Sequence, residues 1–554
     1  MYTQNFTPFL NSLPWSAAFA LLPLLAIFVL LGGLRWQARW AAIVSLSIAV
    51  MIAVAVYRMP FAQALSGAVE GAATGFFPIV WVGINAIWLC DLTAASGHFS
   101  VLSRAFASIS SDSRVQAILI AFCFGALLEG LGGGGSPVAI CAVILIGLGI
   151  SPMKAAAACL IADTSPVAFG SLGLPITTLA TLTKLPVHDL SAMVGRQTPV
   201  LAFFVPFILV VVMDGWRGLR ELWLLASVAG VSYASAQFVS SQSLPVELVD
   251  IVSALVAFAA CGTFLYLRSD SAFKTMGAPA ISASRETELS SLASSQAERG
   301  SPPPHVTDRP WEIFRAFLPY LVVLVVVGIA QIGPVARLLE HLTSRFAWPG
   351  LSVVSPDGRP VAAATIKFEW IRSAGSLMLI SGLITAPMLG ISFRRALSIY
   401  LLTLHKLRWA IFTVCAVVAL AFVMNLSGQS TTLGLWAAGA RGGFAAMSPV
   451  IGSIGTALTG SDTSSNALFG VLQVAAARAA HLSEILLAAA NSAGGVCGKA
   501  ISPQNLAIAA VAVGVEGREG DLFRKVIGWT LLMIATLSLL VYLQSTSVLS
   551  WMVP

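Results

Sequence analysis

Long apolar runs separated by short polar stretches form the dominant pattern along the chain. Runs of about 18 or more mostly apolar residues recur between Trp15 and Tyr542, and each is long enough to cross a bilayer as a helix. About 12 to 14 such segments are counted, several of them interrupted by glycine, proline or acidic residues. The two-residue alternation of a membrane barrel does not accompany them. The pattern therefore predicts an all-α, polytopic membrane protein.

The composition agrees with this prediction and narrows the chemistry. Of the 554 residues, 57% are hydrophobic and 10% are charged, whereas a soluble domain carries about 25% charged residues. The net charge of +7 suits cytoplasmic loops that face anionic lipid and requires no nucleic-acid partner. The cysteines and histidines are scattered singly, so we expect no disulfide framework, no metal site and no cofactor.

The distribution of charges predicts an orientation and a division into two halves. The first 34 residues lack charged side chains, and Arg35 and Arg39 follow, so the positive-inside rule places the N-terminus outside and this loop in the cytoplasm. Residues 268–310 are polar and rich in serine, alanine and charge. They are interpreted as a cytoplasmic linker between transmembrane halves at residues 1–267 and 311–554.

The two halves share an order of motifs. In the first half, LEGLGGGGSP is followed by about 25 mostly apolar residues and then by ADTSPVAFG, where Pro175 stands twelve residues after Asp163. In the second half, LTGSDTSSNALFG is followed by a similar interval and then by AANSAGGVCGKA, where Pro503 stands twelve residues after Asn491. Paired interruptions of this kind predict broken or re-entrant helices around a transporter binding site.

Close helix packing is the alternative explanation for these small residues. It accounts for the glycines and alanines, but it does not account for the carboxylates beside them, which are Glu129, Asp163 and Asp462. A carboxylate at membrane depth costs about 2.5–3.5 kcal/mol on insertion scales, and such residues are usually functional. We therefore favour the functional interpretation.

Several motifs together resemble the L-lactate permease family. They are FCFGALLEGLGGGGSPVAI, ADTSPVAFGSLGLPI, GRQTPVLAFFVPF, KFEWIRSAGSLML, LTGSDTSSNALFG and NSAGGVCGKAISPQ, and the similarity covers nearly the whole chain in order. The resemblance implies a secondary transporter that imports L-lactate, D-lactate and glycolate with protons across the bacterial inner membrane. It also implies kinship with a superfamily of ion transporters built from inverted repeats.

The chain departs from the family pattern beside the first interruption. Leu131 and Gly132 replace two alanines, Gly134 stands where an aromatic residue is usual, and Asp163 occupies a position that is often asparagine. The loss of an aromatic side chain enlarges a binding site, and an added carboxylate changes its charge. The identity of the substrate is therefore less secure than the family.

A hydroxy acid needs partners for its carboxylate and its hydroxyl group away from bulk water. Bare glycine backbone and helix N-termini offer N–H groups, hydroxyl and amide side chains offer further hydrogen bonds, and a basic side chain offers an opposite charge. The candidates are Gly133, Gly134, Gly135, Ser136, Thr164, Ser165, Arg196, Thr463, Ser464, Ser465, Asn466, Asn491, Ser492 and Lys499. Alternatively, the hydroxyl groups bond to carbonyls of their own helices, and Arg196 anchors the chain at the interface.

Proton coupling needs a carboxyl group that gains and loses a proton inside the membrane. Because burial favours the neutral form of such a group, the candidates are Glu129, Asp163 and Asp462, with Glu129 ranked first. Static salt bridges with Arg196 or Lys499 are the alternative for each carboxylate.

Other functions stay open at this stage. A sodium-coupled or dicarboxylate carrier fits the same motifs. A passive channel would not need paired interruptions in two halves. An intramembrane enzyme lacks support because no HExxH, GxSxG or GxGD motif is present. The expected partners are therefore a small anion, a proton and the bilayer, and the sequence is compatible with a homo-oligomer.

Overall fold

The computed structural model is built almost entirely of helices. It describes residues 1–30, 34, 36–98, 101, 110, 112–131, 135–268, 310–330, 332–356, 358, 361, 365–440, 442–515 and 518–554. Four short strands accompany the helices: β1 (Tyr2–Thr3) pairs in parallel with β3 (Val353–Val354), and β2 (Thr343–Ala347) pairs antiparallel with β4 (Thr365–Glu369). The predicted all-α class is confirmed.

The helices of the first half vary from a single turn to 46 residues. They are α1 (Leu13–Phe28), α2 (Ala38–Ala55), α3 (Phe61–Thr74), α4 (Trp81–Ala95), α5 (Ser113–Gln116), α6 (Gly125–Leu131), α7 (Ser136–Gly147), α8 (Pro152–Ala162), α9 (Gly170–Thr183), α10 (Val187–Val194), α11 (Thr198–Ser243) and α12 (Val249–Arg268). Wider π-helical turns at Gly75–Val80 and Ala117–Phe124 lead into α4 and α6.

The helices of the second half follow the polar segment. They are α13 (Pro310–Ala330), α14 (Gly333–His341), α15 (Ala374–Met388), α16 (Phe393–Ser427), α17 (Gln429–Ala437), α18 (Gly443–Thr459), α19 (Asp462–Ala479), α20 (Glu484–Lys499), α21 (Pro503–Ala512) and α22 (Glu519–Gln544). Residues 269–309, where a cytoplasmic linker is expected, lie outside the described residues. The division into two halves at that segment stays a prediction.

Eight helical stretches of the described chain are long and apolar enough to cross a membrane, or nine if the bent pair α13–α14 counts as one span. The sequence alone suggests 12 to 14. The difference arises because irregular backbone divides several apolar runs into helices of 10–17 residues, and because one stretch, Val187–Ser243, joins successive runs. Within that stretch, Gly215 at φ +67° interrupts α11.

Close packing of α18 against α20 forms a rigid centre in the second half. A Cβ atom at Gly452 would collide with the backbone of Asn491, one at Gly494 with the backbone of Pro449, and one at Gly498 with the carbonyl group of Ser453. Small residues spaced four apart let membrane helices approach until their backbones touch. The packing interpretation is therefore correct for these glycines.

The N-terminal segment is fixed to the end of α16. The side-chain amide of Gln4 donates to the carbonyl oxygens of Asn425 and Leu426 at 2.8 and 2.9 Å. The hydroxyl group of Tyr2 lies 3.0 Å from the carbonyl oxygen of Ser427. The last carbonyl groups of a helix have no partner within it, so these side chains supply donors to buried acceptors, of which Asn425 also accepts from the backbone N–H of Gly428 at 3.3 Å.

We predict that Gln4→Ala lowers the free energy of unfolding by about 1–3 kcal/mol, because the buried carbonyl group of Leu426 loses its side-chain donor and that of Asn425 keeps only the backbone N–H of Gly428 at 3.3 Å. The measurement is the apparent Tm of the detergent-solubilised protein. Thr3→Ala is the matched control, since Thr3 is the exposed neighbour and its loss should change stability by less than about 0.5 kcal/mol. Equal Tm values for the two variants would contradict the prediction.

Candidate functional site

In the first half, the chain between α8 and α9 crosses the protein interior without regular helix. α8 ends at Ala162 with Asp163 as its C-cap residue, and turns continue to Phe169. Ser171, Leu172 and Gly173 then take left-handed φ values of 47°, 59° and 68°. Two of these residues carry side chains, for which this conformation costs about 1–2 kcal/mol each. The surrounding packing must therefore hold the strained backbone in place.

The second half has two shorter breaks. Gly460, at φ +74°, ends α18, and Ser461 caps the amide of Ser464 at the start of α19. α20 ends at Lys499, and Pro503 begins α21. Pro503 thus follows the break of the second half, as Pro175 follows the left-handed residues of the first half. Asn491 lies within α20 and not at its end, so the two breaks are not equal in length.

Three charged side chains from both halves meet in the interior. Nζ of Lys499 lies 2.5 Å from Oε1 of Glu129 and 3.0 Å from Oδ2 of Asp163. All three side chains are at least 95% buried. α6, the end of α8 and the end of α20 each supply one member. We call this group the charge triad.

Each carboxylate of the charge triad keeps one oxygen without a partner. Oε2 of Glu129 and Oδ1 of Asp163 are buried and accept no hydrogen bond from the described residues. A buried polar atom without a partner is costly, and it marks a place where a proton or a ligand group would be stabilised. The hydroxyl oxygen of Ser165 is in the same condition.

A glycine of the irregular segment determines how closely that segment approaches Glu129. A Cβ atom at Gly170 would lie 2.9 Å from Oε1 and 3.1 Å from Cγ of Glu129. Any larger side chain would therefore displace the carboxylate that binds Lys499.

Asp462 belongs to a second network, in which its partners are hydroxyl and amide side chains. The hydroxyl group of Ser492 donates to Oδ2 of Asp462 at 2.7 Å, and the amide of Asn466 donates to Ser492 at 3.0 Å. The amide of Asn491 donates to Asn466 at 2.9 Å and receives a hydrogen bond from Gln473 at 3.1 Å. These side chains are all buried, and we call them the amide network.

The amide network also contacts the first half. The amide of Asn466 donates to the carbonyl oxygen of Pro175 at 3.1 Å. That residue follows the left-handed turn, and α9 packs along α19. The hydrogen bond therefore ties the irregular segment of one half to the helix that begins at Asp462.

A cavity of about 530 Å³ connects the two groups. Glu129 and Lys499 of the charge triad and Asp462 of the amide network line it, together with Thr463 and Ser464. This volume lies within the range of about 300–1,000 Å³ that is usual for small-molecule sites. The cavity combines two basic groups, Arg39 and Lys499, with two carboxylates and several hydroxyl groups, which are the partners that a small anion with a hydroxyl group requires.

The remaining predicted positions lie apart from these groups or are engaged locally. Thr164 donates to the nearby carbonyl oxygen of Ile161, as the local alternative expects, whereas Ser465 donates across to the carbonyl oxygen of Gly452 in α18. Ser136 is the first residue of α7. Gly135 packs against Asn505 of α21.

Two glycines and one arginine of the prediction contribute nothing to the described site. Gly133 and Gly134 lie outside the described residues. The guanidinium group of Arg196 donates to the carbonyl oxygen of Met552 at 2.7 Å and to the side chain of Gln242 at 3.1 Å. It is absent from the charge triad and from the lining of the cavity.

Sequence reasoning missed part of the cavity wall. Arg39, Trp409, Ser171 and Gln504 line the cavity, and Gln473 belongs to the amide network. Arg39 and Trp409 are residue types that are common at membrane–water interfaces. The sequence alone therefore could not distinguish them from interfacial residues that do not line a cavity. Gln473 interrupts the apolar part of α19 at residues 467–477, and that polar position was a usable signal.

Known proteins resemble the chain over its full length. The family profile described as L-lactate permease matches residues 16–548. The L-lactate permease of Bacillus subtilis (strain 168) is 40% identical, with 100% of both chains covered. The glycolate permease GlcA of Escherichia coli (strain K12) is 39% identical, with 98% of both covered. The L-lactate permease of the same strain is 37% identical, with 100% of both covered.

We predict that Lys499→Met destabilises the protein by about 3–5 kcal/mol, because two buried carboxylates lose their only cation. The measurement is the apparent Tm in detergent. The control is Lys406→Met, which removes an exposed ion pair with Asp91 and should cost less than about 1 kcal/mol.

A triple variant tests whether the loss is electrostatic. Adding Glu129→Gln and Asp163→Asn to Lys499→Met removes the uncompensated charges, so most of the stability should return. A Lys499→Met protein as stable as Lys406→Met would refute the charge triad as a structural element.

Proposed function

The chain belongs to the L-lactate permease family, and from that premise we propose that it imports small 2-hydroxymonocarboxylates by symport with protons. The proposed substrates are L-lactate, D-lactate and glycolate, and the proposed location is the bacterial inner membrane. The resemblance stated from the motifs is confirmed by the family match. Since the family consists of permeases, the chain is a membrane transporter and the enzyme alternative is discarded.

The observation that carries the proposal is the position of Lys499 between Glu129 and Asp163. A substrate carboxylate inside the protein needs a compensating charge, and Lys499 is the basic group that lines the inner end of the cavity. In the structure, the two carboxylates contact that ammonium group at 2.5 and 3.0 Å. Substrate and carboxylates therefore compete for one ammonium group.

This competition couples the substrate to a proton. With all groups ionised, the charge triad holds two negative charges and one positive charge, so it repels another anion. A proton that binds to Glu129 or Asp163 removes one negative charge and releases part of Lys499. The substrate carboxylate then binds the ammonium group, and the loss of the proton on the other side of the membrane expels it.

The hydroxyl group of the substrate has partners at the same place. It can donate to the unpartnered oxygen of Glu129 or Asp163, or exchange hydrogen bonds with Thr463 and Ser464 in the cavity wall. The start of α19 adds the positive end of a helix dipole. Asp462, held by Ser492, shapes this end of the site and remains a second proton-coupling candidate.

A sodium-coupled carrier of the same superfamily is the alternative, because hydroxyl and carboxylate oxygens also suit sodium. A dicarboxylate substrate is less compatible with a cavity in which one basic group already faces two carboxylates. Assembly into a homo-oligomer stays a prediction of the sequence.

We predict that cells expressing the protein accumulate labelled L-lactate and that a protonophore abolishes the accumulation. The physical reason is that the charge triad must gain and lose a proton in each cycle. The measurement is uptake with and without protonophore, followed by competition with hydroxy, keto and dicarboxylic acids. Uptake that survives collapse of the proton gradient and follows a sodium gradient would establish the alternative.

We predict that Glu129→Gln abolishes gradient-driven accumulation but leaves exchange of lactate across the membrane. The amide cannot titrate, yet it keeps the shape of the side chain beside Lys499. Counterflow in preloaded vesicles measures the exchange, and protonophore-sensitive uptake measures the accumulation. Asp163→Asn is the matched comparison, since it tests the second carboxylate in the same way. Unchanged accumulation in Glu129→Gln would remove Glu129 from the proton step.

A further inference from the structure

Arg39 stands at the outer end of the cavity that leads to the charge triad. It belongs to the first turn of α2 and lines the same cavity as Glu129 and Lys499. Its neighbours Gln37 and Ala38 are exposed and also line the cavity. The buried charge triad and the exposed start of α2 are thus the two ends of one space.

Trp409 holds the guanidinium group of Arg39 in place. The guanidinium carbon lies 3.9 Å from the centre of the Trp409 ring, well inside the range of a cation–π contact. A guanidinium group stacked on an aromatic face keeps its N–H groups in one plane, and those groups match the two oxygens of a carboxylate. Trp409 itself remains half-exposed at the same end of the cavity.

Arg39 lacks an acidic partner in the part of the chain that the structure describes. None of the ion pairs there includes it, and its Nε is buried without a hydrogen-bond partner. Lys499, the other cation of the cavity, is already bound by two carboxylates. The positive charge that is free to attract an anion is therefore at the outer end.

We infer that Arg39, stacked on Trp409, is an outer binding subsite for the carboxylate of the transported anion. During import the anion passes from Lys499 to Arg39 before it leaves on the cytoplasmic side, and during exchange from that side Arg39 is its first contact. The inference rests on the proposed function for the chemistry of the substrate. It assigns the contact at the exposed end of the cavity to a residue outside the paired motifs.

Membrane anchoring is the competing explanation for Arg39, and a neighbouring arginine separates the two. Arg408 lies 5.7 Å from the Trp409 ring and contacts His405, but it does not line the cavity. Loss of either arginine removes one positive charge from the same surface. Only the loss of Arg39 removes a charge from the cavity.

The experiment compares Arg39→Gln with Arg408→Gln in right-side-out and inside-out membrane vesicles. The readouts are KM and maximal rate for labelled L-lactate, normalised to the amount of protein in the membrane. We expect Arg39→Gln to raise KM about fivefold from the side that Arg39 faces, the upper range for an exposed ion pair. That side is the cytoplasmic one by the positive-inside rule.

The remaining variants sharpen the result. The maximal rate of Arg39→Gln should stay within about twofold of wild type, because a change of that size lies within the effect of a surface substitution. Arg39→Lys should give an intermediate KM, since it keeps the charge but loses the planar N–H groups. Trp409→Ala should raise KM from the same side as Arg39→Gln, and Arg408→Gln should not.

The outcomes are separable. Transport of lactate by the wild-type protein, with KM unchanged by Arg39→Gln in both vesicle orientations, overturns the outer subsite and leaves the proposed function intact. An equal rise of KM in Arg408→Gln also overturns it, because the effect would then come from surface charge. A wild-type protein that neither transports nor exchanges lactate or glycolate overturns the proposed function and the outer subsite together.

Discussion

One ammonium group shared by two carboxylates in the protein interior is the constraint on which the rest of the site depends. Burial of three charged side chains costs several kcal/mol for each ion unless opposite charges and hydrogen bonds compensate. Lys499 supplies the only positive charge among the three. It comes from the second half of the chain, whereas Glu129 and Asp163 come from the first half. The electrostatic interaction within the charge triad therefore also contributes to the contact between the halves.

Broken helices make this contact geometrically feasible. If α8 continued as a regular helix beyond Ala162, its following residues would extend past Lys499. The irregular backbone that places Asp163 beside Lys499 would then be lost. The turns from Asp163 to Gly173 and the break after Lys499 bring the ends of α8 and α20 together. Irregular backbone inside a membrane protein is stable only where protein or water satisfies its polar groups. The hydrogen bond from Asn466 to the carbonyl oxygen of Pro175 satisfies one such group here, and the absence of a side chain at Gly170 lets the segment approach Glu129.

The sequence predicts the class and the interruptions more readily than the pairing of side chains. Hydropathy is sufficient for the helical membrane class, because every span must be apolar along its length. The carboxylates at Glu129 and Asp163 stand out for the same reason, since charge is rare in such runs. Their shared partner does not follow from the motifs, because Arg196 and Lys499 are both basic side chains that could pair with a carboxylate. The fold brings Lys499 to the carboxylates and places Arg196 elsewhere. Similarly, Thr164 and Asn491 both look like ligands, yet one bonds its own helix and the other supports Asn466.

The glycine contacts between α18 and α20 have a mechanical consequence. Backbones in direct contact at Gly452, Gly494 and Gly498 cannot slide or separate without opening voids, so these helices form one rigid body. Lys499 follows Gly498 directly and is carried by that body. Separation of the ammonium group from its two carboxylates therefore requires α6 and the end of α8 to move relative to α18 and α20, so the flexibility must lie between these two groups of helices.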